Sequence, residues 1–77
     1  MQVTKGQVYR HFKGDIMTVI AVAKHTETEE LMVVYDHNGT IWARPYEMFI
    51  SKVDKEKYPA IEQEYRFQLI EDKNVSK

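Results

Sequence analysis

The run Val8-Tyr9-Arg10-His11-Phe12-Lys13-Gly14 sets an arginine, a histidine and a lysine beside two aromatic rings. Arg10 and Lys13 can hold a phosphate or carboxylate, the arginine as a bidentate fork and the lysine as a point charge. The rings can stack on a nucleobase. The same composition also suits an edge strand whose charges keep sheets from joining edge to edge.

A second polar run is Lys24-His25-Thr26-Glu27. His25 continues the odd-numbered face of an apolar stretch, and Glu27 shares its side if the chain stays extended. A histidine beside a carboxylate is raw material for acid–base chemistry. A strand end capped by a polar turn would use the same residues. With histidines only at 11, 25 and 37, no His-x-x-x-His pair sets two ligands on one helix face, and zinc is not expected. Trp42 and Arg44 share one face of an extended run. A guanidinium over an exposed indole is worth about 0.5–1 kcal/mol. The alternative is a core tryptophan that Arg44 shields from water. Tyr46, Met48 and Phe49 read as core. No glycine-rich phosphate loop, nucleophile motif or paired-carboxylate spacing stands out, and no cofactor is expected.

The elements that must position these residues are short strands. Gln7–Phe12 alternates, and Lys13-Gly14-Asp15 reads as a turn with Gly14 at positive φ. Ile16–Thr26 follows, apolar on both faces, which calls for cover on both. A partner copy or a closed barrel wall would provide the second cover. Glu27–Glu30 is a polar connection, and Leu31–Tyr35 is a third strand. Asn38-Gly39 between apolar runs signals a type I′ hairpin. Ile41–Arg44 is a fourth strand, which Pro45 ends by removing a ladder donor. Residues 46–50 read as one helical turn with Pro45 at its start. Ser51–Gln63 is a charged surface excursion or a short helix after Pro59. Tyr65–Ile70 is the last strand. About five short strands with a turn of helix predict a mainly-β fold, a small, strongly bent antiparallel barrel of SH3-like type. The alternative is an open meander whose exposed face pairs with another copy.

The chain has 77 residues and no cysteine. One domain is expected over residues 1–77, with its core in 6–70 and a frayed tail from 71. A core of this size rarely yields more than about 3–5 kcal/mol. Disulfides and thiolate zinc are excluded as staples, which leaves self-association. The longest apolar stretch, 16–23, is far short of the roughly 20 residues a membrane span needs. The first residues lack a signal-peptide core, so a cytoplasmic location is expected. The net charge is −1, without the basic balance of a nucleic-acid binder, whose pI is typically above about 9. It divides unevenly: +3 over residues 1–25 and −4 over the remainder.

Read together, Val8-Tyr9-Arg10-His11-Phe12-Lys13-Gly14, Ala23-Lys24-His25-Thr26-Glu27-Thr28-Glu29, Val33-Val34-Tyr35, Trp42-Ala43-Arg44-Pro45, Met48-Phe49 and Arg66-Phe67 resemble the bacterial and phage family catalogued as domain of unknown function 1653. In that family a glycine usually stands where this chain has Glu29, and a tyrosine is frequent where it has Met17. The resemblance implies a small SH3-like β-barrel and no established activity. It singles out Arg10, His11, Lys13, His25, Glu27, Tyr35 and Arg44 as the polar positions that match. With Trp42 they form the expected ligand-binding set, since binding residues concentrate on polar and aromatic positions held by a rigid scaffold. The expected function is a non-enzymatic binding module. Arg10, Lys13 and Arg44 would hold an anionic or nucleotide-like ligand, and Trp42, Tyr35 or Tyr9 would stack on its planar part. His25 and Glu27 would orient it, in a homo-oligomer with the site at a subunit boundary. An adaptor for protein or nucleic acid, and a small hydrolase using His25 or His11, are the alternatives.

Overall fold

A computed structural model describes residues 2–72. It contains strands β1 (Gln7–His11), β2 (Ile16–Lys24), β3 (Leu31–His37), β4 (Thr40–Pro45) and β5 (Phe67–Asp72), and one helical turn, α1 (Tyr46–Phe49). The strands form one antiparallel sheet in the order β4-β3-β2-β1-β5. The mainly-β expectation holds.

The turns follow the expected chemistry. Gly14 takes φ +105° between β1 and β2. Asn38 and Gly39 lie at φ +53° and +84°, His37 pairs with Thr40 across them, and the Asp36 carboxylate accepts the Gly39 N–H at 2.8 Å. Positive φ at both central residues is the type I′ requirement. The two strands therefore run right up to the turn, longer than the apolar runs alone indicate. Pro45 does not stand just beyond β4 but is its last residue, paired with Met32. Counting from the hairpin, it falls at a non-hydrogen-bonded position of the ladder. Its missing N–H therefore faces the free edge, where proline is tolerated. β2 stops at Lys24, so His25 and Thr26 lie in the connection. The last strand begins at Phe67 rather than Tyr65 and includes Glu71 and Asp72 of the expected tail. Residues 73–77 of that tail lie outside the described residues.

The sheet is not closed into a barrel by hydrogen bonds, because β4 and β5 are its opposite edges. Four interstrand spacings of about 4.8 Å would hold those edges roughly 19 Å apart in a flat sheet. Yet the Arg44 guanidinium of β4 lies 5.2 Å from the centre of the Phe67 ring of β5, so the sheet curls strongly. Register shifts mark the bends, one at Ile20 of β2 against β3 and one at Ile70 of β5, opposite Val8 and Tyr9 of β1. Side chains fill the gap instead of a ladder: Phe49 of α1 stacks on Phe67 with centroids 4.1 Å apart, and Tyr9 meets Phe49 edge-on at 5.1 Å.

The core is Val3, Tyr9, Met17, Val19, Val33, Tyr35, Phe49 and Phe67, with Tyr46 and Ile50 packed against it. Buried Gln7 is fully used. Its Oε1 accepts the Tyr9 hydroxyl and the Thr4 N–H, and its Nε2 donates to Asp72 and to the Gln2 carbonyl. Burial, with Tyr46 and Asp72 nearby, pushes the Tyr9 phenol up to about 12. The chain covers only one face of β2. Ile16 and Ile20, with Ile41 and Ile70, stay 40–55% exposed. Among the described residues no helix is long and apolar enough to cross a membrane.

Candidate ligand-binding cleft

The end of β1 and the long excursion before β5 build a cationic, aromatic-lined cleft. Beyond His11 the chain turns, bringing Phe12 and Lys13 off the sheet. The Lys13 N–H donates to Nδ1 of His11 at 3.1 Å. The excursion holds no helix after Pro59 and is tied down by short contacts. Val53 and Arg66 donate backbone N–H groups to Glu64 and Ser51, and the Asp54 carboxylate accepts the N–H groups of Glu56 and Lys57. The last contact turns the chain so that Lys57 and Tyr58 face the β1 end.

The result is a cleft of about 300 Å³ lined by His11, Phe12, Lys13, Asp54, Lys57, Tyr58 and Arg66. Its aromatic wall is continuous. His11 and Phe12 lie 4.4 Å apart, and Phe12 and Tyr58 5.0 Å apart, by ring centroids. The Lys13 ammonium sits 5.8 Å from the Phe12 ring centre and 5.4 Å from that of Tyr58, and Lys57 lies 5.6 Å from Tyr58. Lys52 pairs with Glu64 at 3.4 Å, and His37 Nε2 lies 3.6 Å from the Asp15 carboxylate. Among the described residues no carboxylate lies within 4.0 Å of the Lys13, Lys57 or Arg66 cation, and Asp54 is already engaged by backbone donors. Burial lowers the His11 pKa, and Arg44, Lys13 and Arg66 lower it further against the opposing pull of Asp15. A neutral His11 that accepts on Nδ1 must carry its proton on Nε2, which makes it a fixed donor.

The eight expected site residues separate into groups. His11 and Lys13 line the cleft, and Arg44 stands behind it, over Phe67 and close enough to act on His11. Tyr35 is buried against Phe49 and Phe67, and Tyr9 has no exposed surface, so neither can stack on a ligand. Arg10 is exposed on the opposite face of β1 from Tyr9. Trp42 is half exposed on the β4 edge, with Arg44 turned to Phe67 rather than to it. His25 and Glu27 sit at the far end of β2, a rise of roughly 30 Å over nine residues from the cleft end. There His25 Nδ1 accepts the N–H groups of Glu27 and Thr28, a strand-end cap. Sequence reasoning missed Lys57 and Tyr58, which sit in a charged segment that reads as solvated surface. Arg66 carried a signal only through its place beside Phe67.

The fold and cleft define a class: a small mainly-β domain with one open, curled sheet and a cationic, aromatic-walled cleft at one end. Residues 7–69 match the family described as "Protein of unknown function (DUF1653)", and the chain belongs to that family. It is also similar to the crystal structure of a DUF1653 protein from Bordetella bronchiseptica, with 27% identity and a TM-score of 0.74. That likeness covers 100% of this chain and 97% of the other. No curated protein matches the chain.

Proposed function

We propose that this protein is a non-enzymatic binding module for a small anionic ligand carrying a planar ring, of nucleotide-like chemistry. The observation that carries the reading is the placement of unpaired Lys13 against both Phe12 and Tyr58, with Lys57 and Arg66 in the same lining. Cations held over ring faces offer charge to a phosphate and leave the ring edges and remaining faces for stacking. The volume, about 300 Å³, lies at the lower end of the range of ligand sites, about 300–1,000 Å³. It suits one ring and its attached anion. The Nε2–H of His11 supplies a directional donor.

Binding is favoured over hydrolysis by the state of the histidines. His11 and His25 each commit Nδ1 to backbone N–H groups, which leaves neither neutral ring a free basic nitrogen. Calorimetry against a panel of nucleoside monophosphates tests the reading. Binding is expected in the wild type. Lys13→Ala and Arg66→Ala should each weaken it about 10- to 100-fold, since a hydrogen bond to a charged group is worth about 1.5–3 kcal/mol. Absence of heat and of thermal shift across the panel overturns it.

A further inference from the structure

No ladder joins the two sheet edges, and the structure treats them differently. The β4 edge is blunted by Pro45, whose absent N–H faces outward. The β5 edge, Phe67–Asp72, holds no proline and is flanked by a groove of about 630 Å³. Tyr65, Phe67 and Leu69 line that groove at alternate positions, with Glu62, Glu64 and Gln68 around them. Tyr65 and Leu69 are 37% and 43% exposed. Tyr65 and Leu69 thus offer exposed apolar contacts four residues apart, with buried Phe67 between them. An antiparallel edge strand also turns alternate N–H and C=O groups outward.

From these features we infer that the β5 edge takes up an extended peptide by strand addition, and that the peptide alternates apolar residues with lysine or arginine. Charge decides the occupant. Glu62 and Glu64 flank the groove and Glu71 lies in β5 itself. Lys52, 3.4 Å from Glu64, is the nearby counter-charge. A second copy of this chain adding its own β5 would bring like carboxylates together, which is costly. A basic strand meets the acidic rim with opposite charge while its main chain completes the ladder. This site is separate from the cationic cleft, whose lining selects the opposite charge.

The test uses a fluorescent six-residue peptide, the length of β5, alternating valine and lysine, and the same peptide with glutamate for lysine. The lysine peptide should bind by anisotropy and slow amide hydrogen exchange in Phe67–Asp72. The glutamate peptide should bind at least roughly tenfold more weakly. N-methylation of the peptide backbone should abolish binding, and Leu69→Asp should weaken it while leaving the circular dichroism of the fold unchanged. Lys13→Ala should leave it unaltered, which separates this site from the cleft. Equal binding of the two peptides, no binding of either, or unchanged β5 exchange would overturn the inference. So would concentration-dependent β5 protection in the free protein, which would make a second copy the occupant.

Discussion

His11 shows how one side chain registers its surroundings. The sequence marks it as a histidine between two cations, and the fold adds Arg44 and Arg66, which are remote in sequence. Together with burial they hold its pKa below the usual value of about 6.5. The unfolded chain therefore takes up a proton in a window where the folded one does not. Across that window the unfolded state binds more protons, so stability rises with pH. The contribution is complete above about pH 6.5 and is lost as pH falls from there through the folded pKa. Thermal melts should show the midpoint rising with pH up to about 6.5, the ordinary histidine value, and levelling above it. His11→Asn, whose Oδ1 can still accept the Lys13 N–H, should flatten that part of the curve relative to the wild type. An unchanged slope would mean that His11 is not the titrating group. At this scale the sequence revealed His11 and Lys13 because their neighbours along the chain are themselves cationic or aromatic. Lys57 and Tyr58 were hidden because the β1-end residues that share their cleft, Phe12 and Lys13, lie more than forty positions away.

At the scale of elements, legibility follows how local the physics is. The Asn38-Gly39 turn was readable because the backbone demand of a type I′ turn is met by two residue types. The strands were readable from alternation, but their ends were not, because pairing extends them until a turn or a bulge intervenes. The β2–β3 connection carries a cost that can be measured. Glu29 is held at φ +60°, a left-handed conformation that costs a residue with a Cβ about 1–2 kcal/mol. Its N–H donates to the His25 carbonyl at 2.9 Å, and the Glu30 carbonyl accepts the His25 N–H at 2.8 Å, so the turn is fixed from both sides. A glycine there relieves the strain but loses more entropy on folding. The expected net effect of Glu29→Gly is a stabilisation of about 0.5–1 kcal/mol. The melting midpoint should then rise by a few degrees, given about 4–8 °C per kcal/mol for a domain of this size. A lowered midpoint would show that the side chain contributes more than the strain costs.

At the scale of the whole molecule the governing fact is that the two sheet edges meet through side chains. Closure is a long-range property: nothing local to β4 or β5 reveals whether a ladder or a ring stack will join them, so the expected barrel was the part of the fold least legible in the sequence. Phe67 is the centre of that junction. It has no exposed surface. Phe49 stacks on it, Tyr35 and His11 approach its edges or faces at 6.2 and 5.1 Å, and Arg44 covers it. Removing a buried phenylalanine side chain costs about 3–5 kcal/mol, and a core of this size supplies about the same total. Phe67→Ala should therefore leave no cooperative urea transition at 25 °C. Phe67→Leu refills much of the space and should fold with a lower urea midpoint and an unchanged m-value, because the surface exposed on unfolding is nearly the same. The contrast isolates the junction from general loss of apolar area. Ile70, on the same strand but 44% exposed, should tolerate alanine with a loss well under that of Phe67→Ala. If Phe67→Ala kept a full cooperative transition, the edges would have to be held together by something other than this stack.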